Sequence, residues 1–532
     1  MSIPTLPEYE RISDYVHHYA RETPTHSALV AHGRRIDYES FHAQVERCAK
    51  ALLAHDVVRG DRVAMLCTPS IEFYVVYMAT ASIGGIWLGL NPNHRLDELL
   101  YVVKDARPRV LISRLTIRHR DYSEELHALM HEDHGVERLV TLEQSLHGLG
   151  TSFSDFLSEA SRTSQADYRQ ALRAVRGADT ALLVYTSGST GQPKGAMLTH
   201  RGIVRCRCVE AEHWQVERPS TVVNLPINHI MGADEIPDYV LVAGGTIYFM
   251  EHFDALATLR LIEAERLTYL MQFPTQFQMM ASLPEFDETD LSSLECIVWA
   301  GAPLSKDLLS RLRRLGTRLA NAWGQTETSG EITFTDSDAD FDVLATTVGR
   351  IDPRYDVRFV GPDGTVVPAG EAGEIQVRGD VLMHGYFARP EATREAIDVD
   401  GWLHTGDIGR QRADGNIELV GRLKEFYKSG GYNIYPREIE IVLEGHPAVA
   451  MAAVVGVPDP LYQEVGHGFV EIERGARLDE VELRNFSREH LANYKVPKQF
   501  TVSTELPKLS TGKIDKKTLA RRARDLLKAR DA

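Results

Sequence analysis

Residues 185–197 read YTSGSTGQPKGAM and directly follow the apolar run ALLV. A strand that runs into a loop of small residues near a lysine is a common way to hold phosphate, because glycines let backbone N–H groups approach an anion. The common nucleotide loop needs glycine directly before its lysine and Ser or Thr directly after it. Here Pro193 precedes Lys194 and Gly195 follows it, so the stretch predicts a phosphate loop of another kind.

Length and composition indicate a globular protein and exclude other classes. A chain of 532 residues predicts roughly three or four core-sized units, fused into two bodies. The formal net charge of −16 argues against non-specific nucleic-acid binding. The N-terminus lacks a basic start followed by an apolar stretch, which predicts a cytoplasmic protein.

The least polar window and the cysteines both have ordinary structural explanations. Residues 74–90 are short of a membrane span and predict a buried helix followed by a strand. The five cysteines include one close pair without a second pair at zinc spacing, so we expect reduced thiols.

Apolar β-rich runs alternate with longer amphipathic stretches through most of the chain. The runs are residues 62–67, 109–113, 221–226, 245–250 and 296–301, and residues 41–55 are an example of an amphipathic stretch. This pattern predicts an α/β fold with two units of mostly parallel sheet. From about Val348, short strands and tight turns predict a small β-rich unit. The strands and helices that follow predict a C-terminal α+β domain, with boundaries at 1–421, 422–424 and 425–532.

Five more segments gather glycines and polar residues. They are WAGAPLS (299–305), NAWGQTETSG (321–330), GWLHTGD (401–407), KSGGYNIYPREIE (428–440) and LPKLSTGKIDKK (506–517). Taken alone, several of these segments have a simple structural explanation. Gly-Ala-Pro could merely form a turn, Asp407 could stabilise its own turn, and Lys513 could be a solvated surface residue. A Thr-Glu pair at a strand exit, however, lies where ligands collect in open α/β sheets.

Together with the opening loop, these motifs in this order resemble the adenylate-forming superfamily of acyl-CoA synthetases, over residues 15–519. Within this superfamily, the motif sequences are most similar to those of carboxylic acid:CoA ligases. The resemblance implies an acyl-CoA synthetase/luciferase-like fold, ATP, Mg²⁺ and coenzyme A as cofactors, and two half-reactions. The acid first forms an acyl-adenylate with release of pyrophosphate, and a thiol then takes the acyl group and expels AMP.

The resemblance implies a role for each matching residue. Around the phosphates it places Thr186, Ser187, Gly188, Ser189, Thr190, Gly191 and Lys194. Thr326 would contact the α-phosphate and Glu327 would hold magnesium, because a hard cation prefers carboxylate oxygen. The other nucleotide-binding residues would be Gly301, Ala302, Pro303, Asn321, Trp323, Gly324, Asp407 and Arg422. Asp407 would bind the ribose, and Arg422 would add a second contact to the ribose or to a phosphate. Trp323, where many relatives have Tyr, would stack on adenine.

The C-terminal domain of such enzymes is expected to rotate between the two steps. Lys513 would reach the cleft in the first step, where its ammonium bridges carboxylate and α-phosphate. Rotation about a hinge at Lys424 would then bring the coenzyme A residues Lys428, Ser429, Gly430 and Gly431 to the thiol tunnel. Gln463 stands where many relatives have Gly, and Met451 where an acid is frequent.

The acyl pocket is predicted around His229, Met231 and Gly232. A satisfied core histidine is the alternative for His229. Asp234, Glu235 and Asp238 follow in the sequence; a carboxylate facing the pocket would favour a cationic or hydroxylated substrate, but we expect acids at a helix start that face solvent. The predicted substrate is therefore a mainly apolar carboxylic acid, fatty or cyclic.

Two other functions stay open. One is a stand-alone adenylation enzyme that loads the thiol of a separate carrier protein. The other is a non-catalytic nucleotide or acyl-adenylate binder, against which the presence of Glu327 and Lys513 argues. The expected partners are small molecules rather than nucleic acid or a membrane, and the sequence leaves the oligomeric state open, a homo-oligomer included.

Overall fold

The computed structural model describes residues 6–130, 134–143, 150–186, 192–301, 304–423, 426–429, 432–473, 475–509 and 513–531. The α-helices are α1 (Ser13–Glu22), α2 (Tyr38–Ala54), α3 (Ile71–Ser82), α4 (Leu96–Ala106), α5 (Ser123–Leu129), α6 (Phe153–Ser158), α7 (Gln165–Ala174), α8 (His200–Trp214), α9 (Ile236–Val242), α10 (Ala255–Glu265), α11 (Pro274–Ala281), α12 (Lys306–Arg313), α13 (Phe341–Thr346), α14 (Pro390–Ala396), α15 (Pro436–Glu444), α16 (Glu480–His490) and α17 (Lys516–Asp531).

The strands are β1 (Ser27–Ala31), β2 (Arg34–Asp37), β3 (Arg62–Leu66), β4 (Ile86–Leu90), β5 (Val110–Ser113), β6 (Thr116–Ile117), β7 (Arg120–Asp121), β8 (Arg138–Thr141), β9 (Thr151–Ser152), β10 (Thr180–Thr186), β11 (Lys194–Thr199), β12 (Ser220–Val223), β13 (Thr246–Phe249), β14 (Tyr269–Gln272), β15 (Cys296–Ala300), β16 (Arg318–Gln325), β17 (Gly330–Phe334), β18 (Arg350–Ile351), β19 (Asp356–Val360), β20 (Ala372–Arg378), β21 (Leu403–Gln411), β22 (Ile417–Arg422), β23 (Tyr427–Ser429), β24 (Tyr432–Ile434), β25 (Val449–Asp459), β26 (Gln463–Ile472) and β27 (Gln499–Ser503).

Local sequence signals start the helices where the pattern predicts them. The Asp37 side chain caps α2 by accepting from the Ser40 amide at 2.8 Å, and Ser70 caps α3 through the Phe73 amide at 3.2 Å. Helix α3 is buried and β4 follows it, which confirms the prediction for residues 74–90. Within the described ranges, no helix has the length and apolar character to cross a membrane. The cysteines are free thiols, as expected.

Two sheets carry the strand ends at which the site forms. One has the order β11-β10-β4-β3-β5-β8-β9 and is parallel except for the β10–β11 hairpin. In the other, β14, β15 and β16 are parallel, and β17 and β18 are added antiparallel. The predicted α/β class is confirmed. A further sheet, β12-β13-β1-β2, joins the N-terminal hairpin to β13, which lies more than two hundred residues later in the chain.

The later part of the chain is built from antiparallel strands. Strands β19 to β22 form the predicted β-rich unit. Beyond it, β24-β23-β26-β25 form a sheet with β27 parallel to β26, and helices α15, α16 and α17 pack on it. The buried apolar side chains from Tyr427 onward form two clusters of their own. The C-terminal segment therefore has a core separate from the earlier sheets.

Candidate active site

The opening loop joins two paired strands. Thr186, at the end of β10, lies opposite Lys194, the first residue of β11. The Tyr101 hydroxyl donates to the Pro193 carbonyl at 2.9 Å and so fixes the end of the loop. The Lys194 ammonium lies 5.2 Å from the centre of the Tyr386 ring, within cation–π range. Five predicted phosphate ligands, Ser187, Gly188, Ser189, Thr190 and Gly191, lie outside the described residues.

Glu327 lies in a 3₁₀ turn, Thr326–Thr328, where β16 ends. Its Oε1 accepts from the Tyr386 hydroxyl at 2.8 Å and from the Thr186 hydroxyl at 3.5 Å. Burial and the neighbouring Glu327 carboxylate raise the pKa of Tyr386, so the phenol stays a protonated donor. The structure thus brings three predicted residues, Thr186, Lys194 and Glu327, together around one tyrosine.

Tyr386 was missed by the sequence reasoning. It lies between β20 and α14, directly after Gly385, and pairs with Ala196 of β11 in an isolated bridge. The available signal was an aromatic residue after glycine in a loop shortly before Pro390, and periodicity does not detect such a position.

Asp407 is held by three donors from two strands, β16 and β22. The Trp323 indole N–H donates to Oδ2 at 3.0 Å and the Gln325 amide donates to the same oxygen at 2.8 Å. Arg422, the register partner of Asp407 on β22, donates to Oδ1 through Nε at 2.7 Å. Asp407 is 5% exposed, so its carboxylate has a fixed orientation. This geometry excludes the alternative in which Asp407 only stabilises its own turn, and it links Trp323 to the carboxylate through the N–H that Tyr would lack.

Asn321 is buried on β16, two residues before Trp323. Its Nδ2 donates to the Thr347 carbonyl at 2.8 Å, and its backbone N–H donates to the Thr335 hydroxyl at 2.8 Å. The amide oxygen is therefore the atom that fits an adenine amino group. Gly324 follows on the same strand, β16. Ala302 and Pro303 lie outside the described residues.

Lys513 reaches the end of β15. A Cβ placed on Gly301 would lie 3.6 Å from Lys513 Cε and 3.7 Å from Nζ. The half-buried His229 is close enough for the Lys513 charge to act on it: burial first, and this ammonium second, lower the pKa of His229 to about 4. His229 Nδ1 accepts from the Met231 amide at 3.3 Å, and the ring meets Phe273 edge-on at 5.4 Å. His229 is therefore a neutral imidazole beside the lysine, and its place in the acyl pocket stays a prediction.

The chain after His229 enters a π-helix, Met231–Glu235, before α9. Met231 is buried, and Gly232 lies so close to the Pro226 carbonyl that a Cβ would be 2.5 Å from its oxygen. The expectation that the following acids face solvent is wrong. Asp234, Glu235 and Asp238 are at most 4% exposed: Asp234 lies 3.8 Å from Arg207 of α8, and Asp238, in α9, contacts α3. Asp238 accepts from the hydroxyls of Tyr74 and Tyr77 at 2.8 and 3.0 Å.

The structure describes the predicted hinge and coenzyme A residues only in part. Lys424, Gly430 and Gly431 lie outside the described residues, and for Lys428 the structure describes only the backbone in β23. Ser429 is 7% exposed and pairs with Tyr432 and with Gln463.

The donor set around Glu327 fits magnesium. This cation usually binds through one or two carboxylates and takes its other oxygens from substrate phosphates and water. Glu327 offers one carboxylate, half-buried and oriented by Tyr386 and Thr186.

Two family models match the chain: AMP-binding enzyme over residues 16–387, and the C-terminal domain of AMP-binding enzymes over residues 438–513. A feruloyl-CoA synthase of Amycolatopsis is 36% identical, over 94% of this chain and 97% of its own. A long-chain fatty-acid–CoA ligase of Mycobacterium tuberculosis is 30% identical, over 91% and 92%. The crystal structure of ATP-bound MatB from Rhodopseudomonas palustris superposes with a TM-score of 0.85 at 29% identity, over 97% and 99%. The chain therefore belongs to the AMP-binding enzyme family, the adenylate-forming superfamily that the motifs predicted.

Proposed function

We propose that this chain is an AMP-forming acid–CoA ligase for a mainly apolar carboxylic acid, fatty or cyclic. It activates the acid with ATP as an acyl-adenylate and releases pyrophosphate; coenzyme A then takes the acyl group as a thioester, and AMP leaves. One observation carries the proposal. Lys513, from the C-terminal segment, lies beside Gly301 and His229, which the sequence assigned to nucleotide and acid.

We assign the first half-reaction to residues that position the reactants and neutralise charge. The Lys513 ammonium would contact the acid carboxylate and the α-phosphate, where charge develops as the carboxylate oxygen attacks phosphorus. Thr326 would contact the same phosphate. Lys194, held over the Tyr386 ring, would steady the departing pyrophosphate.

For the nucleotide, Asp407 would accept from the ribose hydroxyls, and Trp323 would offer a ring face to adenine. Because Trp323 also donates to Asp407, one residue would align both subsites. Magnesium bound at Glu327 would neutralise phosphate charge. Tyr386 and Thr186 would hold that carboxylate by donating to its Oε1.

The acid class follows from the neutral pocket wall and from the relatives. His229 adds no charge at neutral pH, since its pKa is lowered to about 4, and Phe273 contacts its ring edge-on. One relative is a feruloyl-CoA synthase and another a long-chain fatty-acid–CoA ligase, which supports ring-bearing and aliphatic acids as the first candidates.

For the second half-reaction we propose rotation of residues 425–532 about a hinge at 422–424. The rotation would withdraw Lys513 and bring residues 428–431 toward the thiol. The family models end at 387 and resume at 438, so these domain limits stay a prediction. A cytoplasmic location also stays a prediction, which cell fractionation would test.

The test is a panel of straight-chain and ring-bearing acids with ATP, Mg²⁺ and coenzyme A, in which AMP release is measured. We expect AMP release with at least one acid and a matching acyl-CoA product. Without coenzyme A, pyrophosphate release should persist for a single turnover while thioester formation stops. Failure of every acid to release AMP would contradict the proposed function. A thioester that forms only on a carrier protein would replace coenzyme A as the acceptor.

A further inference from the structure

The turn that carries Thr326 and Glu327 is conformationally demanding. Directly after the 3₁₀ turn, Ser329 has φ 56° and Gly330 has φ 134°. A serine in the left-handed region is strained, and such residues persist where the surroundings determine them. Ser329 is fully buried, so the residues packed around it must hold its left-handed backbone conformation.

Two side chains of helix α8 hold the backbone of this turn. Arg207 Nη2 donates to the Ser329 carbonyl at 2.5 Å, and Cys206 Sγ donates to the Thr328 carbonyl at 3.4 Å. The guanidinium lies directly against Gly330, where a Cβ would be 2.1 Å from Nη2. Arg207 thus contacts the part of the turn whose backbone is most constrained.

A fully buried arginine needs carboxylates, because an isolated charge in the interior is strongly unfavourable. Glu210 Oε2 lies 3.0 Å from Nη1, and Asp234 Oδ1 lies 3.8 Å from Nε. Burial raises the pKa values of Glu235 and Glu331, and the charge of the nearby Arg207 opposes that rise. Burial raises the pKa of Glu331 to about 7, and burial also raises the pKa of Glu210. Arg207 therefore lies among four buried acids, of which Glu210 and Asp234 form ion pairs with it.

We infer that Arg207 is a positioning residue for adenylation: it fixes the Ser329 carbonyl and thereby the directions of the Thr326 hydroxyl and the Glu327 carboxylate. Glu210 and Asp234 hold the guanidinium in place. Asp234, which follows the predicted acyl-pocket residues in the sequence, would thus contribute to activation of the acid by ATP. The inference rests on the proposed function.

The test compares Arg207→Met with Arg205→Met in the full-length enzyme. Arg205 lies on the same helix, is 41% exposed and pairs with Asp380 at 3.1 Å, so it is a matched control outside the turn. We expect Arg207→Met to slow acyl-adenylate formation about 10²-fold, the effect of a misplacement of about 1 Å in a catalytic group. Thioester formation from preformed adenylate should change much less, and Arg207→Lys should recover part of the loss because it restores a donor.

Calorimetric binding of ATP at increasing Mg²⁺ supplies a readout independent of the acid. We expect Arg207→Met to need more Mg²⁺ for half-maximal ATP binding, and Arg205→Met to match the wild type. A folded Arg207→Met with wild-type ATP binding, or with equal losses in both half-reactions, would overturn the inference. If Arg207→Met does not fold, Glu210→Gln decides in the same assay: weaker Mg²⁺-dependent binding supports the inference, and wild-type binding overturns it. An enzyme that binds ATP in this way but activates no acid would refute the proposed function alone.

Discussion

Asp407 and Lys513 are both polar groups of the same candidate site, but the fold holds them in opposite ways. Asp407 is 5% exposed, and donors from Trp323, Gln325 and Arg422 fix both of its oxygens. Lys513 has an exposed side chain and belongs to a segment packed on separate apolar clusters. A binding group that serves every step gains from being pre-organised. A group needed in one step only can be delivered and withdrawn, and the contrast predicts that variants of the two regions will fail in different half-reactions.

Lys513→Ala should have the largest effect. The variant removes the ammonium proposed to neutralise charge at the α-phosphate, and loss of one such group costs about 10²–10³ in rate. We expect this loss in acyl-adenylate formation, measured by pyrophosphate release, and near-normal thioester formation from preformed adenylate. Equal losses in both steps would show that Lys513 serves the fold or the whole cycle, and the contrast with Asp407 would disappear.

Tyr386 offers a pair of variants that separates its two contacts. Tyr386→Phe removes the hydroxyl that donates to Glu327 but keeps the ring under Lys194; Tyr386→Leu removes both. Loss of a hydrogen bond that orients a metal ligand typically costs about 10–100-fold in metal affinity. We therefore expect the Phe variant to need more Mg²⁺, and only the Leu variant to weaken pyrophosphate binding as well. Wild-type Mg²⁺ dependence in Tyr386→Phe would contradict the proposed role of the hydroxyl.

Much of the fold was predictable, because periodicity and turn signals are local. The buried helix and strand within residues 74–90 are confirmed as α3 and β4, and residues 221–226, 245–250 and 296–301 all contain strands. The pairing of β1 with β13 was not predictable, since strands more than two hundred residues apart carry no shared local signal.

The site residues that lie in sequence motifs could be predicted. The contacts and burial that depend on tertiary packing could not. Asp407 could be named from its motif, but its three donors come from segments up to 84 residues away. The acids of the π-helix were expected in solvent because charged residues at a helix start are usually exposed. Asp234 of the π-helix is buried against Arg207, and Asp238 of α9 is buried against the hydroxyls of Tyr74 and Tyr77; none of these partners is a sequence neighbour.

Trp323→Phe tests the fixed side of the comparison. Phenylalanine keeps a ring face for adenine but removes the N–H that donates to Asp407, which keeps its Gln325 and Arg422 donors. A hydrogen bond to a charged group contributes about 1.5 kcal/mol, so we expect roughly tenfold weaker ATP binding. The rate at saturating ATP should change little. Trp402→Phe is the control, since Trp402 packs against Arg358 and Arg378 and is not one of the described donors to Asp407. Unchanged ATP affinity in Trp323→Phe would remove the indole from the ribose subsite.

Gln463 tests the C-terminal side and has the smallest expected effect. It begins β26 opposite Ser429 with φ 72°, a conformation that costs a non-glycine residue about 1–2 kcal/mol. Gln463→Gly removes this cost but gains backbone entropy in the unfolded chain, about 0.4–1 kcal/mol in the opposite direction. The glycine variant should therefore be slightly more stable than the wild type, whereas Gln463→Ala keeps the strain and should be less stable than Gln463→Gly by about 0.5–1 kcal/mol. Hydrogen exchange of the β25–β26 amides measures this difference within the C-terminal segment itself. Equal protection in the two variants would mean that the strand adjusts its backbone at no cost, and that the segment proposed to rotate is not held by strain at this position.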